Sequence, residues 1–262
     1  MTVPRPFHVY DVTKEWLNSK IQTDSSQFKF TASRIIESTN DLAKNEAFSK
    51  SIPGEKIYLA DIQTKGRGRG ANAWIAPPSG DALLMTWSWE LENAAQPITA
   101  PLMGLHIYRA LNQTFSNAGL SLKPPNDIYF LNNKILGILA EALQQGPRHR
   151  LIVGFGLNVF SAPSGVPIAG CLSALEQKNS GPDRNENEQY LTAPIWLKFL
   201  DDLATELRTA VKKSQLNEMP QKDCEDLLAA IRRHPAGLRY TRVFPNGDLE
   251  TAQNDMLSWR NL

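Results

Sequence analysis

Cysteine is nearly absent from this chain, with two in 262 residues, Cys171 and Cys224. They lie far apart and outside any metal-ligand spacing, so neither a disulfide framework nor a zinc site is suggested. Cys171, in Ala169-Gly170-Cys171-Leu172, is expected to be a small core residue. Net charge is equally scarce: 28 basic and 27 acidic side chains leave +1, so no global field gathers nucleic acid. No uncharged apolar stretch is long enough to span a bilayer. The opening Met1-Thr2-Val3-Pro4-Arg5-Pro6 lacks the apolar h-region of a secretory signal. Four histidines, His8, His106, His149 and His234, show no partner pattern; His106 falls on a predicted helix and is expected to be structural, and none is assigned to catalysis. Together these absences predict a protein of the reducing cytoplasm with neither nucleic acid nor membrane as a partner.

What is present is a 42% hydrophobic chain, a content and length that suit one main domain with a small appendage. The expected division is an N-terminal arm over residues 1–30 with one short helix around Val12 to Ile21, a main domain over 31–215, and a small C-terminal region over 216–262. Ser38 stands three residues before Asp41, a capping-box-like helix start. Lys56 to Gln63 and Ala82 to Glu90, rich in Ile, Leu, Tyr and Trp, read as strands. Leu102, Leu105, Tyr108, Leu111 and Phe115 recur at helical spacing until Gly119. Leu120 to Leu122 is strand-like. Ile128 to Leu131, a turn at Asn132-Asn133 and Ile135 to Leu143 predict a hairpin, and Leu151 to Phe160 a further strand. After a polar break at Ser180 to Gln189, Trp196, Leu200, Leu203, Leu207 and Val211 mark an amphipathic helix ending at Lys212-Lys213. A short helix follows over Asp223 to Arg233. A hairpin is signalled at Asn246-Gly247 between Tyr240 to Phe244 and Asp248 to Thr251. Helices and strands in mixed order with hairpin turns predict an α+β domain around a mainly antiparallel or mixed sheet flanked by helices, with a small β-containing C-terminal region.

The segment Lys65-Gly66-Arg67-Gly68-Arg69-Gly70 follows a predicted strand. Glycine permits positive φ and close approach to a ligand, and guanidinium forks match carboxylate and phosphate oxygens. The stretch therefore reads as a mobile loop for gripping an anion; a solvated turn or an Arg-Gly nucleic-acid tether would leave the same trace. Its neighbours narrow the choice. Glu37-Ser38-Thr39-Asn40 lies upstream and Gln63 just before the loop. Then come Trp74 with Pro77, Lys123-Pro124-Pro125-Asn126-Asp127, Lys134-Ile135-Leu136-Gly137-Ile138-Leu139-Ala140-Glu141, and Gly154-Phe155-Gly156-Leu157-Asn158. Each piece alone is weak. In this order, over residues 31–160, they resemble the biotin–protein ligase family, in its form without an N-terminal DNA-binding repressor domain, for which residues 1–30 are too few.

The resemblance implies a biotin/lipoate ligase-like catalytic domain and a reaction in two steps. Biotin's carboxylate attacks the α-phosphate of ATP, supplied with Mg2+, to give biotinyl-5'-AMP. A lysine of a biotin carboxyl carrier domain, of acetyl-CoA carboxylase or a related carboxylase, then takes the acyl group. ATP and biotin are substrates, and no tightly bound cofactor or protein metal site is expected. The first step brings an anion to a polyanion, so fixed positive charge is its main requirement. The resemblance gives Lys123 the carboxylate and the catalytic charge, with Arg67 and Arg69 closing over the ligand, Arg69 sharing the catalytic role. Lys134 and Asn158 fall at the nucleotide, although a hairpin lysine and a strand-end asparagine also have local uses. Biotin's ureido ring needs neutral donors and acceptors in an apolar pocket; Ser38, Thr39, Asn40 and Gln63 fit that role, and Ser38 is equally a helix cap. The backbone of Gly66 and Gly68 would approach the ligand closely, and Trp74 would shape a wall or pack in the core.

Two departures stand out. Many family members carry further arginines where this chain has Gly70-Ala71-Asn72, and a tryptophan where it has Pro124. The C-terminal region is too short for the small SH3-like barrel usual in the family and is expected to be a reduced module. A lipoate–protein ligase-like acyltransferase, and a protein that binds biotin or its adenylate without transferring it, are the rival readings.

Overall fold

A computed structural model of the chain describes residues 5–23, 28–49, 52, 54–115, 119–174 and 191–259. Helix α1 (Val9–Thr23) comes first, then strand β1 (Phe28–Ile36), helix α2 (Thr39–Glu46) and strands β2 (Glu55–Gln63) and β3 (Ala82–Leu91). Helix α3 (Thr99–Thr114) precedes strands β4 (Leu120–Lys123), β5 (Asp127–Phe130), β6 (Asn133–Gln145) and β7 (Arg148–Asn158). Helices α4 (Ala193–Lys213) and α5 (Gln221–Arg232) follow, then three short strands, β8 (Tyr240–Val243), β9 (Leu249–Thr251) and β10 (Met256–Leu257).

Seven strands form one sheet in the order β1-β2-β3-β7-β6-β5-β4, and β8 to β10 form a separate three-stranded sheet. The β1–β2 pair is parallel, because α2 carries the chain back between them; the remaining ladders of the large sheet are antiparallel. This is the mixed, mainly antiparallel α+β sheet that the sequence predicts.

Strand alternation assigns the two faces. Leu151, Val153, Phe155 and Leu157 of β7 join Leu83, Met85 and Trp87 of β3 and Ile57 and Leu59 of β2 in the main core. Trp16 and Leu17 of α1, Leu102 and Leu105 of α3, and Trp196, Phe199 and Leu203 of α4 close over that face. On the opposite face Ala43 of α2 and its C-cap residue Ala47 pack with Tyr58 and Ile152. This second face is covered more sparsely, and the space left on it is the candidate site.

Several details differ from the sequence reading. The helix in the first thirty residues is longer and runs from Val9, with Val9, Tyr10 and Leu17 buried and the Trp16 indole donating to Asp201 of α4 at 2.8 Å. Strand β1 was missed because it is an edge strand of half-exposed, mixed residues, Phe28-Lys29-Phe30-Thr31-Ala32-Ser33, without a clean alternation. The hairpin turn falls one residue early, at Leu131-Asn132, with Leu131 at φ 52°. Cys171 is half-buried with Sγ 3.3 Å from the Ser173 hydroxyl, so the core cysteine is Cys224 instead. His106 is buried on α3 and bound to Glu206, in keeping with a structural part. The polar break at 180–189 lies outside the described residues. Among the described residues, no helix is long and apolar enough to cross a membrane.

Candidate active site

The site starts where the parallel pair ends. Ladder pairing reaches Ile36 opposite Gln63, and two more backbone bonds, Thr64 N–H to Ile36 O at 2.9 Å and Lys65 N–H to Glu37 O at 2.8 Å, hold the following loop beside the start of α2. Ser38 is the N-cap of α2, in extended conformation, and its hydroxyl accepts the Asp41 N–H at 3.3 Å. Gln63 Oε1 accepts twice from Thr39, from the backbone N–H at 2.7 Å and from the hydroxyl at 3.0 Å. The Thr86 hydroxyl, buried in β3, lies 2.7 Å from both the Thr39 hydroxyl and the Asn40 amide oxygen. Asn40 then donates to Glu141 Oε2 at 3.0 Å. The four neutral residues singled out from the sequence thus form one connected corner, and Ser38 both caps the helix and borders the cavity. Thr86 and Glu141 complete the network; a hydroxyl within a buried strand was the available signal for Thr86, shared with Ser88.

The floor is made by missing side chains. Gly137 of β6 sits opposite Gly156 of β7, and Trp74 lies over both: a Cβ on Gly137 would come within 2.9 Å of the ring, and one on Gly156 would overlap it. Gly154 in the same way leaves room for the Asn40 side chain. These three glycines explain the Gly-x-Gly spacing and the glycine three residues after Lys134. Trp74 is therefore a wall of the cavity resting on bare backbone, and it is carried there by the loop before it. That loop folds back as a tight hairpin: Trp74 N–H donates to Gly66 O at 2.9 Å, Gly68 N–H to Asn72 O at 2.8 Å, and Gly70 turns the chain at φ 64°. A Cβ on Gly66 would meet the Trp74 carbonyl at 2.5 Å, so Gly66 serves the hairpin's own backbone, whereas Gly68 lines the cavity.

The cavity measures about 660 Å³ and is bordered by Ser38, Thr39, Asn40, Gln63, Arg67, Gly68, Arg69 and Lys134. Arg67 and Lys134, with the neighbouring Lys44, are engaged with internal carboxylates. Arg67 bonds Asp41 at 2.8 Å and approaches Glu141 at 3.4 Å, while Lys44 pairs with Glu141 at 2.9 Å. The hydrogen bond to Asp41, reinforced by Glu141, raises the Arg67 pKa further and keeps it charged. Burial pushes the Glu141 carboxyl up, but bonds from Asn40 and Lys44 and the charges of Lys44 and Arg67 outweigh it and hold its pKa below the usual carboxylate range. Lys134 pairs with Asp127 at 2.6 Å and lies 5.7 Å from the Trp74 ring centroid.

Lys123 and Asn158 stand apart from this group. Lys123 ends β4 directly opposite Asp127, which borders the cavity, but its own ammonium lies 5.6 Å from the centre of the Tyr129 ring. Asn158 borders an adjoining cavity of about 160 Å³ that shares Trp74 and Lys134 with the main one. Its amide donates to Gly170 O at 2.9 Å, and its Oδ1, like the indole nitrogen of Trp74, is buried with no hydrogen-bond partner among the described residues. Buried polar atoms of this kind are expected to find their partner in water or a ligand. No group of His, Cys, Asp and Glu side chains among the described residues is arranged to hold a metal ion.

Comparison with known proteins matches the stretch carrying all these features. Residues 32–158 fit the model of the biotin/lipoate A/B protein ligase family. The biotin–[acetyl-CoA-carboxylase] ligase of Paracoccus denitrificans is 32% identical over 177 residues, which cover 64% of this chain and 72% of that protein. This chain belongs to the biotin–protein ligase family. The chloroplastic biotin–protein ligase 1 of Arabidopsis thaliana is 30% identical over 186 residues, 68% of this chain and 48% of that one. The chain thus spans about half the length of the first curated ligases it matches. The fold agrees with that of the Aquifex aeolicus biotin protein ligase solved with biotin and ATP, at a TM-score of 0.59 and 22% identity, over 88% of this chain and 95% of that one.

Proposed function

We propose that this ligase-family chain activates biotin with ATP and passes the acyl group to a lysine of a biotin carboxyl carrier domain. The observation that carries the reading is the continuity of one cavity from the neutral corner at Ser38, Thr39, Asn40 and Gln63, past Arg67 and Arg69, to Lys134 and the smaller cavity at Trp74 and Asn158. A ureido ring needs neutral donors and acceptors at one end, and a nucleotide triphosphate needs cations at the other. Between them a carboxylate meets an α-phosphate.

In the first step a carboxylate oxygen forms a bond to the α-phosphorus as the bond to pyrophosphate breaks. The products are the mixed anhydride, biotinyl-5'-AMP, and pyrophosphate. Positioning and charge do most of this work. Arg67 and Arg69 hold the reacting anions, and Lys123, from the strand end opposite Asp127, offsets the charge at the carboxylate. Lys134 and Asn158 serve the nucleotide, whose Mg2+ arrives with the substrate. In the second step the acceptor amine attacks the acyl carbon, AMP leaves, and the amine's proton passes to solvent. Two free cysteines, one buried, suit a cytoplasmic setting.

The test is pyrophosphate release from MgATP with biotin, and separately with lipoate, before any acceptor is added, followed by transfer to a carrier domain. Biotin-dependent release followed by labelling of the carrier lysine is expected. Release with lipoate alone would replace the substrate, and adenylate that is never transferred would leave a binding protein.

A further inference from the structure

The turn joining β4 to β5 is Pro124-Pro125-Asn126, and two of its residues, Pro125 and Asn126, together with Asp127, border the main cavity. Prolines carry no N–H, so the only hydrogen-bonding groups of Pro124 and Pro125 are their carbonyls. Asn126 is fastened to β6, its side-chain amide donating to Ile138 O at 2.9 Å and its carbonyl accepting the Ile138 N–H at 2.8 Å. The Pro125 carbonyl is fastened from far along the chain: it accepts the indole N–H of Trp259 at 2.8 Å, across 134 residues. Trp259 is 4% exposed. It also walls a second cavity, of about 250 Å³, that shares Arg69, Pro125 and Asn126 with the main one.

Strand β5, which follows the turn, is also met by the C-terminal region. His234, just beyond α5, sets its ring edge-on to Tyr129, centroids 4.7 Å apart at 73°. Tyr129 is the ring under the Lys123 ammonium. Burial and the Lys123 charge hold the His234 pKa below its ordinary value, keeping the imidazole neutral beside the lysine. The three-stranded sheet that carries Trp259 is itself anchored, its Gly247 turn lying against Ile98 and Pro101 at the start of α3.

We propose that Trp259 is a positioning residue for the activation step: by holding the Pro125 carbonyl it fixes the β4–β5 turn, and with it the cavity wall at Asn126 and Asp127 and the approach of Lys123. The proposal rests on the ligase reading above.

The test compares the full chain with Trp259→Phe, which keeps an aromatic ring and deletes the N–H. Should that variant not fold, benzothienylalanine at 259 keeps the bicyclic ring and replaces the N–H by sulfur. Hydrogen exchange is expected to quicken at the amides of Asn126 to Tyr129 and at Ile138, and to stay unchanged elsewhere in the large sheet. Biotin-dependent pyrophosphate release without acceptor is expected to lose about fivefold to thirtyfold in kcat, the scale set by one hydrogen bond to a buried carbonyl. KM for biotin and the calorimetric stoichiometry of biotin binding are expected to hold within twofold. A purely structural tryptophan would instead lower the binding stoichiometry in step with the rate. Unchanged exchange at the turn, an unchanged kcat, or a rate loss matched by lost binding sites would each overturn the latch alone. A wild-type chain that releases no pyrophosphate with biotin would overturn the ligase reading and the latch with it.

Discussion

The floor and the rim of the main cavity are made by opposite means. Gly137, Gly154 and Gly156 shape the floor through atoms they lack, so that Trp74 and Asn40 can lie on bare backbone. The rim is made of charge, and there the chain already supplies counter-charges: Asp41 and Glu141 for Arg67, Asp127 for Lys134. The floor is thus set by backbone and packing alone, while under the proposed function the rim would exchange protein carboxylates for substrate oxygens. Such pairing costs affinity for an incoming anion but keeps the Arg67 guanidinium and the Lys134 ammonium oriented. Lys123 lies outside this rim, its ammonium facing the Tyr129 ring.

That contrast is open to attack, and Lys123→Ala should have the largest effect. Adenylate formation is expected to fall by more than about a hundredfold, the scale of a lost transition-state charge contact, with circular dichroism and the melting temperature unchanged. Full single-turnover adenylation in this variant would return Lys123 to a surface role. Next, Gly156→Ala should push Trp74 off the floor. Overpacking of this kind costs about 1–3 kcal/mol, and biotin affinity measured by calorimetry is expected to drop about tenfold to a hundredfold. An unaltered affinity would show that the floor does not need its glycine.

For the rim, Arg67→Met is expected to speed adenylate dissociation about tenfold, in line with a charged hydrogen bond, and to exceed the effect of Arg69→Ala; the reverse order would reassign the principal cation. The smallest effect is on pH. The Glu141 carboxyl has its folded pKa lowered from 4.5, so its stabilising contribution is complete above that value and disappears as pH falls through the lowered one. A carboxyl-detected NMR titration should place its midpoint below 4.5, and Lys44→Met should move it upward. A midpoint above 4.5 in the wild type would mean that burial outweighs the network.

Floor and rim also differ in how far they could be read in advance. The helices α3 and α4, the central strands and the β5–β6 hairpin follow from periodicity, because each buries one regular face. Edge strand β1 does not, since half-exposed residues carry no alternation. The motif glycines were visible as spacing, but their meaning was not: it depends on Trp74 and Asn40 arriving from other parts of the chain. Ser38, Thr39, Asn40 and Gln63 were legible as a polar set and do meet in space, whereas the carboxylates that hold Arg67 were not, because Asp41 and Glu141 are a hundred residues apart. Lys123 shows the converse, a residue prominent in the sequence whose ammonium lies aside from the cavity lining. The reach of Trp259 to Pro125 has no local trace at all.

Strand β7 carries its two tasks on alternate residues: Leu151, Val153, Phe155 and Leu157 enter the core, and Gly154 and Gly156 face Asn40 and Trp74. A slip of one residue against β3 or β6 would turn phenylalanine and leucine onto the cavity and glycine into the core. The hydrophobic penalty for such a misfold and the loss of the site are therefore the same event. A misregistered β7 would forfeit core packing and the cavity floor together.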